Sequence, residues 1–365
     1  IQEKLQDVDG KYDADELGDD EDIDNKTYNE QISTALKQLE DSSDKYLSPT
    51  ALETYSPKFL NILQNIENPA HSGLHLIYSQ FRTLEGIGIL QLVLETNGFA
   101  RFKLKRVGDR FDIDTKEEDL GKPYFALYTG TETSEEKELI RNIFNGMWNF
   151  VPPHIREKLE QISSDNNLGE IIKVLMITAS GAEGISLKNV RYVHITEPYW
   201  HPVRIEQVIG RARRICSHKD LPKELQTVDV FLYLMSFTEK QLESDDAVTL
   251  RLKDKSKRDG TPFTSDEALY EIATMKEEVT SQILTAVKEA SIDCAIHSKV
   301  GGEKLKCFSF GVNNPNKFSF NPSISSEEKD TVAKVNKTKI KWKAVKWVHQ
   351  GKEYAYNKET RNVYD

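Results

Sequence analysis

The sequence has few cysteines and no long apolar run. Cys216, Cys294 and Cys307 are odd in number, widely spaced and without a CxxC pair. That argues against a disulfide framework or a zinc site and fits a reducing, intracellular compartment. No apolar stretch approaches the length that crosses a bilayer, and no charged-then-apolar signal opens the chain, so no membrane partner is expected. Net positive charge is also missing. The formal charge is −10, and residues 1–45, with fifteen acids and five bases, account for all of it. The body is neutral, while from Lys334 onward nine bases face three acids. Such a tail suits nucleic acid, an acidic partner or simply solubility. A phosphate-gripping G-x-x-x-x-G-K-[ST] loop and a DExx after an apolar strand are absent as well; Gly121–Lys122 has neither the first glycine nor the hydroxyl. Hydrolysis of a nucleotide by this chain alone is therefore not expected.

At 365 residues the chain exceeds one ordinary domain, and it starts at Ile1 rather than Met, which suggests a piece of a longer polypeptide. Residues 1–27 are acidic and read as a flexible segment, and 28–55 as a helical lead-in. From 56 to 237 short apolar strands alternate with amphipathic helices. The strands are LHLIYSQF, PYFALYTG, KVLMITAS, YVHITEP and VDVFLYLMSF; the helices include SPKFLNILQNI, LEGIGILQLVLETNGF, TETSEEKELIRNIFN and PVRIEQVIGRARRI. This rhythm predicts an α/β fold, a doubly wound parallel sheet flanked by helices, with functional loops at the strand carboxyl ends. A helical accessory region (238–308) follows, with a helix opened by the Thr264/Glu267 capping box, then a linker (309–335) and a small basic β-meander (336–365). VPPHIREKLEQI, inside an insertion around 147–168, reads as a further helix.

QVIGRARR, Gln207 to Arg214, packs three arginines around a glycine in the neutral body. On a helical wheel Arg204, Gln207, Arg211 and Arg214 share one side, and Ile205, Val208, Ile209, Ala212, Ile215 and Cys216 the other. Crowded guanidiniums are destabilising unless an anion joins them, although a solvated cationic face is the ordinary alternative. Gly210 would let a phosphate or backbone approach. SGAEGISL, leaving a buried strand shortly before, places two glycines where backbone N–H groups can meet phosphate.

The ordered set YSQF, YTGTETSEEKELIRNIFN, ITASGAEGISL, EPYWHP and QVIGRARR resembles motifs IV, IVa, V, Va and VI of superfamily 2 helicases and translocases. It is similar to the Swi/Snf-like branch and to the nucleoside triphosphatase I-type ATPases of large nucleocytoplasmic DNA viruses. The resemblance covers about residues 56–237 and implies a RecA-like second lobe. It implies that Arg211 and Arg214 are arginine fingers reaching a γ-phosphate held by a first lobe, with Gln207 at the same cleft, and that Gly184, Ser186 and Gly210 adjoin the nucleotide. Ser186 stands where relatives usually have Asn or Asp. Arg213 is auxiliary. Ser79, Gln80, Thr129, Gly130, Thr178 and Ser180 would meet a nucleic-acid backbone, DNA or RNA, although cap and turn roles fit these residues equally well. Trp200 and Pro202 match the Trp-x-Pro of motif Va. The implied cofactor is ATP with Mg2+, bound mainly by an amino-terminal RecA-like lobe in a longer chain; no metal ligands are expected here. Implied settings are viral transcription or genome handling, in host cytoplasm and virion, with transcription machinery as a protein partner for the terminal module, whose GKEYAYNKETRNVYD faintly resembles half of a WW domain. The alternative is a catalytically inactive, helicase-like scaffold or a transcription-factor module that binds nucleic acid or protein.

Overall fold

A computed structural model describes residues 22–82, 86–108, 110–179, 184–243, 264–291, 294, 305–307, 343–358 and 361–364. Its helices are α1 (Asp22–Asp41), α2 (Ser43–Tyr46), α3 (Pro49–Tyr55), α4 (Pro57–Glu67), α5 (Ile87–Thr96), α6 (Ser134–Phe144), α7 (Pro153–Glu160), α8 (Pro202–Ala212), α9 (Glu239–Glu243) and α10 (Ser265–Ala290). The strands are β1 (Leu74–Tyr78), β2 (Ala100–Arg101), β3 (Leu104–Val107), β4 (Arg110–Ile113), β5 (Tyr124–Tyr128), β6 (Ile172–Ile177), β7 (Val190–Ile195), β8 (Asp229–Leu232), β9 (Ala344–His349), β10 (Lys352–Asn357) and β11 (Val363–Tyr364). The chain divides into two units, Ile1–Glu277 and Glu278–Asp365.

In the first unit six parallel strands form one sheet in the order β2-β5-β6-β1-β7-β8. β1, β5 and β7 are buried along their whole length, as continuous apolar runs must be when helices cover both faces. Alternation divides each strand between two cores. Leu74, Leu76, Leu175, Ile177, Val193 and Ile195 face Ile140, Ile143 and Phe144 of α6, Ile155 and Leu159 of α7, and Val208 and Ala212 of α8. Ile77, Phe125, Val174 and Met176 face Leu52 of α3, Ile62, Leu63 and Ile66 of α4, and Leu90, Val93 and Leu94 of α5. The sheet is the expected RecA-like, doubly wound one, and the second unit carries the expected meander, the antiparallel sheet β11-β10-β9.

Four expectations need correction. Helix α1 already begins at Asp22, so the acidic stretch is helical from there. The rest of that stretch and the linker lie outside the described residues. Helix α8 stops at Ala212 rather than Ile215: Arg213 leaves helical geometry, and Ser217 Oγ donates to the Ala212 carbonyl at 3.0 Å, tying the chain into a turn. Ile215, expected in the core, is 98% exposed, and Cys216 is exposed as well. A hairpin of β3 and β4, turning at Gly108 with φ +63°, extends beyond ARFKLK (100–105), which by its sequence reads only as a short extended piece. Cys294 and Cys307, expected to be unpaired, form a disulfide with a Cα–Cα distance of 5.5 Å. Their Cβ atoms are brought within bonding reach by the fold, which isolated spacings cannot disclose.

Candidate functional site

Because the strands are parallel, their carboxyl ends share one edge of the sheet, and Ser79, Gln80, Thr129, Gly130 and Thr178 all lie there, after β1, β5 and β6. Ser180 lies outside the described residues. Most of these side chains are already engaged. Ser79 is fully buried; its hydroxyl lies 2.8 Å from Glu197 Oε1 and 3.1 Å from the Phe81 carbonyl. The Gln80 N–H donates to Glu197 Oε2 at 3.1 Å, and its side-chain amide donates to the Pro198 carbonyl at 3.3 Å. Thr129 is buried; its N–H donates to the Glu132 carboxylate at 2.7 Å and its hydroxyl to the same carboxylate at 3.0 Å. Thr178 is buried, and Gly130 is exposed. Hydroxyls in this set shape the loops, so what the edge can offer an incoming strand is loop backbone, with Gly130 the most open.

Glu197, which sequence reasoning left without a role, organises this edge. It follows β7 directly and is buried, and burial pushes its carboxyl above the ordinary range although Ser79 and Gln80 donate to it. The signal was available: it is the acid that follows YVHIT, where an apolar strand reaches the functional edge.

The arginine cluster lies at the other end of the lobe. Helix α8 starts at the carboxyl edge, with His201 Nδ1 accepting from the Val203 N–H at 3.2 Å, and runs back along β7 toward the strand amino ends. Its last turn meets the motif V loop just before β7. The Leu187 N–H donates to the Arg211 carbonyl at 3.4 Å, and the Arg214 guanidinium donates to Ser186 Oγ. Gly184 adopts φ +72°, a conformation that strains other residues, and is exposed with Ser186 between the buried anchors Ile185 and Leu187. Asn145, at the end of α6 and also missed from sequence, clamps the loop. Its amide nitrogen donates to the Ser186 carbonyl at 2.9 Å and its oxygen accepts from the Lys188 N–H at 2.8 Å.

Thus the structure brings Gly184, Ser186, Arg211 and Arg214 together. Arg211 is half-buried, and its Nε has no partner among the described residues. Gln207, Arg213 and Arg214 are exposed. A Cβ at Gly210 would meet nothing within 4 Å, so packing does not demand glycine there. Arg204 departs from the shared face of the wheel: its guanidinium lies 4.6 Å from the centre of the Tyr199 ring. Trp200 is covered by Lys276 of α10, 3.6 Å from the ring centre, consistent with packing against the lobe. The capping box of α10 forms, and Asp266 anchors the helix by an ion pair to Lys58 at 2.5 Å and a bond from the Met235 N–H at 2.9 Å. Among the described residues no group of histidine, cysteine and carboxylate side chains has metal-binding geometry, and no helix is long and apolar enough to cross a membrane.

Residues 113–216, which hold both the loop and the arginines, match the helicase conserved C-terminal domain. A candidate ATP-dependent RNA helicase of Acanthamoeba polyphaga mimivirus is 28% identical over 310 residues, 84% of this chain and 32% of that protein. A second mimivirus candidate of the same description is 32% identical over 211 residues, 58% of this chain and 31% of the relative. The termination factor NPH-I homolog of African swine fever virus is 31% identical over 294 residues, 74% of this chain and 36% of the relative. The chain spans about a third of the length of these relatives. The segment that holds the motif V loop and the arginine-bearing helix thus carries the helicase conserved C-terminal domain, and the sheet around it is a C-terminal, RecA-like lobe of the superfamily 2 helicase type.

Proposed function

We propose that this lobe is half of an ATP-driven motor that moves along nucleic acid, its α8 arginines completing a nucleotide site whose other wall is a first RecA-like lobe. One observation carries the reading: at the end of α8 the Arg211 carbonyl is bonded to Leu187 and the Arg214 guanidinium to Ser186, so both arginines flank the motif V loop, Arg211 with a buried Nε that has no partner among the described residues. Two guanidiniums, a hydroxyl and a glycine-opened loop form a donor set that fits a polyphosphate. ATP with Mg2+, gripped by the first lobe, would supply the phosphoryl bond that breaks. Arg211 and Arg214 stabilise the charge that spreads over the transferring group, and Arg214 does so by exchanging its bond to Ser186 for a phosphate oxygen. Ser186, held by Asn145, orients that exchange, and Gly210 leaves the approach open.

The loops at the carboxyl edge form the track, positioning a nucleic-acid backbone through main-chain groups without reading bases. Resemblance to viral helicases and a termination factor homolog supports a role in viral transcription. The test is turnover in the protein that carries both lobes. Arg211→Ala and Arg214→Ala should each lower nucleic-acid-stimulated ATP hydrolysis by on the order of a thousandfold, the scale of an arginine finger. Nucleic-acid binding should stay largely intact. Unchanged turnover refutes the assignment, and a two-lobed protein without any turnover favours the scaffold alternative.

A further inference from the structure

The second unit carries a feature that the motor does not use. In its sheet, Tyr354 pairs with Trp347, Lys352 with His349, and Tyr356 with both Val345 and Val363, so these seven side chains share one face. Trp347 and His349 are stacked, with ring centres 5.3 Å apart and planes within 13°, and Trp347 meets Tyr354 at 5.9 Å. Lys352 Nζ lies 5.3 Å from the centre of the Tyr354 ring. Among the described residues of the second unit none covers this face, and Trp347 is 43% exposed. On the opposite face Lys346 is paired with Glu353, and Lys343, Lys352, Lys358 and Arg361 add further positive charge to the module.

We propose that this face binds single-stranded nucleic acid, with bases stacking on Trp347 and Tyr354 and the lysines following the phosphates. Charge selects the occupant: nine bases against three acids from Lys334 onward attract a polyanion. Ring geometry excludes the main rival. A proline-rich peptide needs a slot between two aromatic rings, whereas Trp347 is in contact with both His349 and Tyr354 and leaves none. Three strands about 4.8 Å apart and four residues of β9 at about 3.4 Å each give a platform of roughly 10 by 14 Å, enough for two or three bases. This goes beyond the motor reading and does not depend on it, because the site is remote in sequence from α8 and binds without ATP.

The test titrates the full chain against fluorescein-labelled dT15, U15 and a 15-base-pair duplex at several salt concentrations. Trp347→Ala and Tyr354→Ala should each weaken binding of the single strands about tenfold, as loss of one stacking partner does, and leave the salt slope unchanged. Trp347→Phe, which keeps a stacking ring and the fold, should retain most of the affinity. Lys352→Gln with Lys358→Gln should instead flatten the salt slope. The dT15 and U15 arms show which sugar is preferred. Arg211→Ala, which disables the proposed motor, should not alter any of these values, so failure of one proposal is separable from failure of the other. Single-strand affinity unchanged in both Trp347→Ala and Tyr354→Ala overturns the proposal, as does duplex binding that suffers as much as single-strand binding. Unchanged affinity alongside loss of binding to a proline-rich peptide would assign the face to a protein partner.

Discussion

Mild acid should destabilise the lobe through two histidines in its core. His75 on β1 and His194 on β7 are fully buried, and His75 Nδ1 lies 3.0 Å from His194 Nε2. The His71 carbonyl can only accept, so His75 Nε2–H donates to it at 3.3 Å, and the other contacts are thereby fixed. His75 Nδ1 accepts from His194 Nε2–H; His194 Nδ1 accepts from the Tyr233 hydroxyl at 2.8 Å; and Tyr233 accepts from the Asn65 amide at 2.9 Å. Neither ring has a place for a second proton. Burial, aided by His71, holds His194 down at about 3, and burial, then His194 and Lys173, hold His75 well below its ordinary value. Both rings are neutral when folded at pH 7. An unfolded histidine titrates near 6.5, so the unfolded chain binds protons first, and stability falls as pH drops below about 6.5 and keeps falling until about 3 for His194. At pH 5 the loss from His194 alone is about 2 kcal/mol, and His75 adds a loss of the same sign, against a typical total of 5–15 kcal/mol. Urea denaturation at pH 7, 6 and 5, followed by circular dichroism, measures this. His194→Gln keeps a donor for His75 and an acceptor for Tyr233 but cannot titrate. It should start less stable at pH 7, and its deficit should shrink by about 2 kcal/mol at pH 5. A deficit that stays constant across the range would refute the reasoning.

Two further outcomes follow from local geometry. Asn166 is buried and serves four backbone groups: it donates to the carbonyls of Phe144 and Ile172 and accepts from the N–H groups of Ile171 and Ile172. Asn166→Ala strands all four where the chain enters β6 and should cost at least about 3 kcal/mol by urea denaturation; a loss below about 1 kcal/mol would show that water replaces the amide. The two glycines of the arginine site should respond with opposite signs. Gly184→Ala forces a side chain into φ +72° and should destabilise by about 1 kcal/mol, whereas Gly210→Ala sits inside α8 with open space around it and should stabilise by about the same amount. Matching signs in thermal melts would mean that the motif V loop or α8 is shaped otherwise.

The layered sheet was legible because its strands are continuous apolar runs and its helices carry one-sided patterns, two local properties that burial on both faces imposes. Legibility failed where a single hydrogen bond decides. Ile215 and Cys216 continue the apolar spacing of α8, and the pattern predicts three more helical residues, to Ile215, yet Ser217 Oγ caps the Ala212 carbonyl and the Asn189 N–H bonds the Ser217 carbonyl at 3.0 Å, which turns the chain away. No periodicity encodes those contacts between distant segments. The partners of Asn145 and Glu197 were invisible for the same reason, although the place of Glu197 after YVHIT was not: they lie about 40 and 118 positions away, respectively. Hydroxyls at the carboxyl edge were placed correctly by the strand pattern, but their engagement with Glu132 and Glu197 depended on acids from the next turn or the neighbouring strand.

The same contacts would let the proposed half-site be rigid before any ligand arrives. Groups that stabilise a developing charge contribute most when their positions are fixed beforehand. α8 is held at its start by the His201 cap and along its length by Val208 and Ala212 in the core; at its end the Arg211 carbonyl is tied to Leu187. The loop facing it is fixed by Asn145 and by the buried Ile185 and Leu187. In the motor proposed above, the side chains of Arg211 and Arg214 would be what reorganises, and Arg214 would exchange its bond to Ser186 for a charge-assisted one to a phosphate oxygen. A cationic cluster in a neutral lobe is thus tolerable because its backbone is held by protein contacts alone.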